Sequence, residues 1–248
     1  MNTTVEQVTG RVHSWDLSTG VDGPGTRFVL FLSGCPLRCL YCANPDTWHM
    51  RDGKPTTVGE VLGEIEKYRP FITTAGGGVT LTGGEALLQP AFTAAVFRRC
   101  KELGLHTALD TSGFLGARAT GELLADTDLV LLDVKSFDVR AYRKLTGGDL
   151  SPTLNFATRL DRLGIPVWIR YVLVPGWTDD PAAVDGLGAF LAGLGNVDRV
   201  DVLPFHKLGA HKYGELGIPF PLRDTPTPGP DLAERVREQF REHGLRAL

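Results

Sequence analysis

The chain has 248 residues, of which 42% are hydrophobic and 22% are charged, so it has the composition of a globular protein with one substantial core. Its formal net charge of -3 provides no basic excess to neutralise nucleic acid phosphates or anionic lipids, and we expect neither as a partner. The sequence contains no run of about 18 apolar residues and no apolar N-terminal signal, so we expect a cytoplasmic protein without a membrane span. Without such a signal, the Asn2-Thr3-Thr4 triplet is not expected to be glycosylated.

Short β-branched and apolar runs alternate with longer amphipathic segments, a pattern that predicts parallel strands covered by helices. The predicted strands comprise residues 27–32, 79–82, 106–110, 129–133, 167–174 and 200–203. The predicted helices comprise residues 58–68, 91–103, 119–125, 154–163, 182–194 and 231–243, the last with Asp231 as its N-cap. The repeated strand-helix alternation predicts an α/β fold of the TIM type that stays incomplete, a partial (β/α)6 barrel, because eight units are needed to close the usual barrel.

We expect a single domain over residues 1–248, since α/β barrels of this length are commonly one domain. Its parts are an N-terminal segment at residues 1–26, a barrel core at 27–206, and a C-terminal loop and helix at 207–248. Functional side chains of such barrels lie at the C-terminal ends of the strands. The residues that follow each predicted strand are therefore the candidates for a functional site.

Three of the four cysteines, Cys35, Cys39 and Cys42, form a Cys-x-x-x-Cys-x-x-Cys pattern in the loop at residues 33–45, here called the cysteine loop. Three thiols so close in sequence indicate metal ligands rather than a disulfide framework. Structural zinc sites and 4Fe-4S electron carriers take four protein ligands, whereas three ligands leave one metal position open. An open position lets a substrate bind the metal directly, so the pattern predicts a catalytic iron-sulfur centre.

An alternative interpretation of the cysteine loop is a zinc site completed by His49 or Asp46, which follow closely in sequence. That interpretation leaves the polar motifs after the later strands unexplained. The fourth cysteine, Cys100, falls at helical spacing with Phe92 and Val96. We therefore interpret Cys100 as a small buried hydrophobic residue rather than a ligand.

A Gly-Gly-Glu motif follows the predicted strand at residues 79–82. Gly83 and Gly84 allow the backbone to approach a ligand closely, and Glu85 or its neighbouring carbonyls can receive an ammonium group. An ordinary strand-to-helix turn is the alternative.

Charged and hydroxyl side chains mark the ends of the next two predicted strands. Asp110, Thr111 and Asp133 offer hard oxygen ligands that suit a cation. Lys135 offers a point charge that suits a carboxylate, and the alternative is an internal ion pair between Asp133 and Lys135.

Three further residues are candidates for contacts with a ligand or a substrate. Arg170 lies inside an otherwise apolar predicted strand and His206 follows the last one, although a core ion pair and an exposed loop histidine are open alternatives. Asp22, in the glycine-rich segment 21–25, is a candidate for holding the backbone amides of a peptide substrate. An Asp-Gly turn is equally consistent with that segment.

The segment Cys35-Pro36-Leu37-Arg38-Cys39-Leu40-Tyr41-Cys42 matches the radical S-adenosylmethionine signature, including the aromatic residue before the third cysteine. Nearly the whole chain resembles the pyruvate formate-lyase activating enzymes, a family that activates glycyl-radical enzymes. The motifs that carry the resemblance are Val21-Asp22-Gly23-Pro24-Gly25, Thr82-Gly83-Gly84-Glu85, Leu109-Asp110-Thr111, Leu132-Asp133-Val134-Lys135, Trp168-Ile169-Arg170-Tyr171 and Leu203-Pro204-Phe205-His206. The chain departs from the family at Ala43, where a histidine is common.

The resemblance implies one domain of the radical S-adenosylmethionine type, with a partial (β/α)6 barrel. It implies that Cys35, Cys39 and Cys42 hold one 4Fe-4S cluster, whose fourth iron is chelated by the amine and carboxylate of S-adenosylmethionine. From their hard oxygens, we expect Asp110, Thr111 and Asp133 to hold a monovalent cation beside the nucleotide. The nucleotide contacts that the resemblance implies are Tyr41, Cys42, Ala43, Asn44, Gly83, Gly84, Glu85, Asp110, Thr111, Asp133, Val134, Lys135, Arg170 and His206.

The activity implied by the resemblance is an oxidoreductase reaction of anaerobic metabolism. One-electron cleavage of S-adenosylmethionine gives methionine and a 5′-deoxyadenosyl radical, which abstracts a hydrogen from a glycine of pyruvate formate-lyase. The implied electron donor is flavodoxin or ferredoxin, and no side chain is catalytic because the cofactor carries the radical. Because no cysteine lies between Cys42 and Cys100, the short form with a single cluster is indicated.

Two other functions remain open from the sequence. The first is a radical S-adenosylmethionine enzyme that acts on another glycyl-radical enzyme, a peptide or a small molecule, since the cluster chemistry would look the same. The second is a protein that binds metal or senses oxygen without catalysis.

Overall fold

The computed structural model of the protein describes residues 5–248. Residues 1–4, which include the Asn2-Thr3-Thr4 triplet and begin the predicted N-terminal segment, lie outside the described part. Within that part, no helix combines the length and the apolar character that a membrane span requires.

The secondary structure alternates strands and helices along the chain. The strands are β1 (Thr9–Thr19), β2 (Thr26–Leu32), β3 (Lys54–Thr57), β4 (Gly78–Gly83), β5 (His106–Thr111), β6 (Leu129–Asp133), β7 (Val167–Leu173) and β8 (Val197–Pro204). The α-helices are α1 (Val58–Thr74), α2 (Pro90–Glu102), α3 (Gly121–Ala125), α4 (Val139–Thr146), α5 (Ser151–Arg162), α6 (Pro181–Ala192), α7 (Ala210–Glu215) and α8 (Pro230–Glu242). The strand order in the sheet is β3-β1-β2-β4-β5-β6-β7-β8.

The chain divides into two compact units. The first unit contains the chain up to Pro36, Thr47–Thr111 and Leu115–Leu131. The second unit contains Leu37–Asp46, Ser112–Phe114 and Leu132–Leu248. The cysteine loop therefore contributes Cys35 to the first unit and Cys39 and Cys42 to the second.

The first unit is built on parallel pairs of apolar strands. β2 pairs with β4 and β4 pairs with β5, both in parallel register. Six of the seven residues of β2 are buried, as expected for a strand that is covered on both faces. β1 pairs antiparallel with β2, and β3 pairs antiparallel with β1.

The second unit contains the parallel pair β7 and β8. Burial alternates along β7: Ile169, Tyr171 and Leu173 are buried, while Trp168 and Arg170 are half-buried on the opposite face. Helices α6 and α8 pack together and α8 also contacts β8, so the C-terminal helix closes this unit.

All six predicted strands are present, with boundaries shifted by three residues at most. The prediction missed β1, β3, α4 and α7. β1 was not predicted because most of its side chains are polar and polar and apolar residues alternate only weakly along it. Only Gly10 and Val12 of this strand are buried. Its extended conformation depends on the antiparallel pairing with β2.

Two predicted helix boundaries were wrong. Asp231 is not the N-cap of α8: Gly229 is the N-cap and Pro230 the first helical residue, since the fixed φ of proline suits that position. Helix α1 continues beyond Tyr68 through an internal proline to Thr74 and buries Ile72 completely. The predicted core role of Cys100 is confirmed, because its side chain is fully buried and burial raises the pKa of its thiol to about 12.

Candidate active site

In the first unit, backbone hydrogen bonds join the start of the cysteine loop to the residues that follow the loop. The amide of Gly34 donates to the carbonyl of Thr47 at 2.7 Å, and the amide of Cys35 donates to the carbonyl of Trp48 at 3.0 Å. Gly34 has φ +99°, and a Cβ there would lie 2.4 Å from the sulfur of Met50. The position of Cys35 is thus set by backbone contacts that only glycine at residue 34 permits.

The Gly-Gly-Glu motif packs directly against the start of the cysteine loop. The amide of Glu85 donates to the carbonyl of Gly34 at 2.9 Å, and the amide of Gly84 donates to the carbonyl of Leu32 at 2.7 Å. A Cβ on Gly84 would lie 2.4 Å from the carbonyl oxygen of Gly34. The glycine at position 84 is therefore required by a close approach of two backbone segments.

The acidic residues at the ends of β4 and β5 are held by hydroxyl groups. The hydroxyl of Thr111 donates to the carboxylate of Glu85 at 2.6 Å, and that carboxylate is almost completely buried. The hydroxyl of Thr82 donates to Asp110 at 2.6 Å. These contacts fix the orientation of both carboxylates within the first unit.

In the second unit, helix α4 holds the segment around Cys39. The amides of Arg38 and Leu40 donate to the carbonyls of Thr146 and Leu145 at 2.8 and 2.9 Å. Those carbonyls lie in the last turn of α4, which ends in a glycine of left-handed conformation at residue 147. Sequence analysis missed α4, although Asp138 caps its start and Gly147 ends it, two signals that could have found it.

Lys135 forms an ion pair with Asp133, with its Nζ atom 2.7 Å from the carboxylate. The same Nζ lies 5.7 Å from the centre of the Tyr41 ring, within the range of a cation-π contact. Burial by itself lowers the pKa of Lys135, but the carboxylate of Asp133, followed by Tyr41 and Cys39, raises that pKa well above its ordinary value. The ion pair considered as an alternative is therefore present, and Lys135 keeps its charge.

The donor set of the cysteine loop fits an iron-sulfur cluster. Thiols are the soft ligands that such clusters take, and the cysteines of the loop are not joined in disulfides. The hydroxyl oxygen of Tyr41, in the same loop, is buried with no hydrogen-bond partner in residues 5–248. Burial raises the pKa of the Cys39 thiol to about 12. In the same residues, no three His, Cys, Asp or Glu side chains are grouped to hold a single metal ion. An iron-sulfur cluster does not need such a group, because each of its cysteine ligands binds a different iron atom.

Helix α7 contacts the distal part of the cysteine loop. The hydroxyl of Tyr213 donates to the carbonyl of Cys42 at 3.1 Å, and Nζ of Lys212 donates to the side chain of Asn44 at 2.8 Å. Lys212 also forms an ion pair with Asp46 at 3.0 Å. Sequence analysis missed both residues, because no pattern in the sequence links α7 to a loop about 170 positions earlier in the chain.

The three remaining candidate residues, Arg170, His206 and Asp22, lie in different structural environments. Arg170 is half-buried on β7, and its carbonyl accepts a hydrogen bond from the amide of Val134 at 3.1 Å. His206 is exposed after the end of β8, as the alternative of a loop histidine predicted. Asp22 lies in the turn between β1 and β2, and its carbonyl accepts a hydrogen bond from Thr80 at 2.6 Å.

The fold and the three-cysteine loop define the class of protein. Residues 29–184 match the family model of the radical SAM superfamily. A radical SAM methyltransferase from Sphaerobacter thermophilus shares the fold, with a TM-score of 0.64 at 17% identity over 94% of this chain and 71% of that one. The predicted fold class, an α/β fold of the radical S-adenosylmethionine type, is confirmed.

Relatives that match nearly the full length of the chain identify its family within this superfamily. The chain is 43% identical over 243 residues to the pyruvate formate-lyase 1-activating enzyme of Escherichia coli (strain K12), covering 97% of this chain and 99% of that protein. It is 46% identical over 226 residues to the pyruvate formate-lyase-activating enzyme of Staphylococcus aureus (strain USA300), covering 88% of this chain and 90% of that protein. The chain belongs to the pyruvate formate-lyase-activating enzymes of the radical SAM superfamily.

Proposed function

We propose that this protein activates pyruvate formate-lyase by installing a radical on one of its glycines, with one 4Fe-4S cluster and S-adenosylmethionine as cofactors. The observation that carries the proposal is the similarity to activating enzymes over nearly the full length of both proteins. Cys35, Cys39 and Cys42 are proposed as the protein ligands of that cluster. When bound, the cluster supplies the electron that splits S-adenosylmethionine into methionine and a 5′-deoxyadenosyl radical, which takes a hydrogen atom from the glycine α-carbon.

The protein's task is to hold the nucleotide in one orientation. Gly83, Gly84 and Glu85 are proposed to receive the methionine ammonium, and Lys135 its carboxylate. The buried carboxylate of Glu85 and the retained charge of Lys135 support these roles. The other proposed nucleotide contacts are Tyr41, Cys42, Ala43, Asn44, Asp110, Thr111, Asp133, Val134, Arg170 and His206.

A monovalent cation at Asp110, Thr111 and Asp133 is part of the same proposal. Carboxylate and hydroxyl oxygens are the ligands that such an ion prefers. The hydroxyl bond from Thr82 to Asp110 supports this role, because it orients the carboxylate before any ion binds.

The peptide contact and the electron donor complete the proposal. Asp22 is proposed to hold the backbone amides of the lyase's glycine loop, since it lies in a turn that Thr80 fixes by a hydrogen bond. Flavodoxin or ferredoxin is proposed as the donor, because the reaction consumes an electron that no side chain of the protein supplies.

Replacing Lys135 with methionine is expected to weaken S-adenosylmethionine binding about tenfold or more while the cluster stays intact, because a charged hydrogen-bond donor is lost but no iron ligand is. The measurement is the dissociation constant of the nucleotide, together with iron content and the spectrum of the reduced cluster. Lys67→Met is the matched control, since Lys67 is exposed on α1 and forms a surface ion pair with Glu64. An unchanged nucleotide affinity in Lys135→Met would leave this lysine with its structural ion pair alone.

The experiment that tests the proposed function combines the reconstituted protein, dithionite, S-adenosylmethionine and pyruvate formate-lyase without oxygen. We expect a carbon-centred radical signal on the lyase by electron paramagnetic resonance. Deuterium at the glycine α-carbon should change that signal and appear in 5′-deoxyadenosine. Both observations are required, because the nucleotide is also cleaved unproductively.

If the protein cleaves S-adenosylmethionine but leaves every glycyl-radical enzyme offered to it unlabelled, the activating role is wrong. A substrate of another kind would then have to be sought among peptides and small molecules.

A further inference from the structure

The side chain of Gln89 extends the pairing of β1 with β2 by one step, at the point where the chain leaves β2. The residue pairs of these two strands end at Val12 opposite Leu32. Beyond that pair, the amide of Arg11 donates to Oε1 of Gln89 at 2.7 Å, and Nε2 of Gln89 donates to the carbonyl of Arg11 at 2.9 Å. The side-chain amide of Gln89 therefore bonds to Arg11 as an opposing strand residue would.

The same amide group reaches the start of the cysteine loop. Nε2 of Gln89 also donates to the carbonyl of Ser33 at 2.9 Å. The carbonyls of the residues before and after Ser33 accept from the amides of Gly84 and Glu85 at 2.7 and 2.9 Å. Three consecutive carbonyls are thus held by one short segment that begins in the Gly-Gly-Glu motif, and the middle carbonyl is held by a side chain.

The orientation of the Gln89 amide is fixed by its partners. The side chain is buried, its oxygen accepts one hydrogen bond, and both hydrogens of Nε2 are used. A short 3-10 turn at Ala86–Leu88 joins Gln89 to Glu85, whose carboxylate accepts from the amide of Leu87 at 3.1 Å. Gln89 therefore ties the Gly-Gly-Glu motif to Ser33, two residues before Cys35, and all of these residues belong to the first unit.

We propose that Gln89 is a positioning residue that sets the spacing between Cys35 and the Gly-Gly-Glu motif, an inference that rests on the proposed function. In that function Cys35 is a ligand of the cluster, and the motif receives the methionine ammonium of S-adenosylmethionine. A nucleotide held at both places needs them at one separation, because a displacement of about 1 Å can cost about a hundredfold in rate. Gln89 acts on this separation through Ser33, whose carbonyl it holds.

The test compares two variants of Gln89 with a matched control. Gln89→Leu removes all three hydrogen bonds at similar side-chain size, whereas Gln89→Glu keeps the acceptor for the amide of Arg11 but sets an oxygen against two carbonyls. The control is Gln239→Leu, because the half-buried Gln239 of α8 also donates to a backbone carbonyl of another element, that of Pro181 in α6, at 3.0 Å. Its oxygen accepts from Arg235 at 3.0 Å.

The proteins are reconstituted without oxygen, and we expect S-adenosylmethionine to bind about tenfold or more weakly to both Gln89 variants. The change that the nucleotide causes in the electron paramagnetic resonance spectrum of the dithionite-reduced cluster should also differ from that of the wild-type protein. Iron content should match the wild-type protein, because all three loop cysteines remain. The Gln239 variant should match it in all three measurements.

Thermal unfolding is measured alongside these assays. A purely structural role of Gln89 would lower the melting temperature without changing the affinity for the nucleotide or the spectrum, when both are measured at a temperature at which every variant is folded. The affinity and the spectrum therefore separate positioning from stability.

The proposal is overturned if both Gln89 variants bind the nucleotide and show its effect on the cluster like the wild-type protein, since the hydrogen bonds would then serve folding alone. It is also overturned if both variants lose iron while folded, because Gln89 would then control Cys35 and not its spacing from the motif, or if neither variant folds. If only Gln89→Leu fails to fold, Gln89→Glu decides. Failure of the proposed function is seen separately in the wild-type protein, as absence of radical on the lyase when dithionite is the reductant.

Discussion

Serine at position 35, 39 or 42 is expected to abolish cluster assembly and S-adenosylmethionine cleavage, whereas Cys100→Ser is expected to leave both intact. A hydroxyl is a harder and poorer ligand for iron than a thiolate, and a cluster with three protein ligands has none to spare. Cys100 is fully buried in the core of the first unit, so its replacement affects packing but not iron. The iron content of each of the three loop variants should therefore fall to the background level of the assay.

The measurements are iron and sulfide content, visible absorbance and the yield of 5′-deoxyadenosine. Circular dichroism must show that each variant is folded, because a missing cluster in an unfolded chain says nothing about ligands. Full iron content in any one of the three loop variants would remove that cysteine from the ligand set. Loss of iron in the Cys100 variant alone would reverse the assignment of ligand and core.

The second large effect is expected from Gly84→Ala, which should destabilise the fold by about 1–3 kcal/mol and prevent cluster incorporation. The added methyl group would lie 2.4 Å from the carbonyl oxygen of Gly34 and 3.0 Å from that of Thr47. Both atoms belong to the backbone, one in the cysteine loop and one just after it, so neither can move like a flexible side chain. Relief of the clash must displace the residue that precedes Cys35.

The matched control is Gly63→Ala, in which the same methyl group meets no atom within 4 Å on the exposed side of α1. That variant should be more stable by up to about 1 kcal/mol, since alanine favours the helix more than glycine does. Thermal unfolding and iron content are the readouts for both variants. If Gly84→Ala unfolds and binds iron like the wild-type protein, the contact between the two backbone segments does not control the loop.

The sequence alone determined features whose cause is local. The predicted strands are short runs rich in β-branched and apolar residues between turn signals, a local pattern that favours extended structure, and all six are present. The three-cysteine pattern needs no tertiary information, because eight consecutive residues hold all three thiols. Family and fold class followed from those residues and the motifs after each strand.

Tertiary structure decided the features that depend on distant partners. β1 is a strand because β2 pairs with it, and its polar sequence does not predict this by itself. The sequence left an ion pair between Asp133 and Lys135 as an alternative to ligand contacts, and the 2.7 Å contact shows that this ion pair is present. Lys212 reaches Asn44 across 168 positions of the chain, and no periodicity or spacing encodes a contact between residues so far apart. Around Cys39 and Cys42, the contacts of the cysteine loop come from α4 and α7, two short helices that the sequence analysis did not connect with the loop.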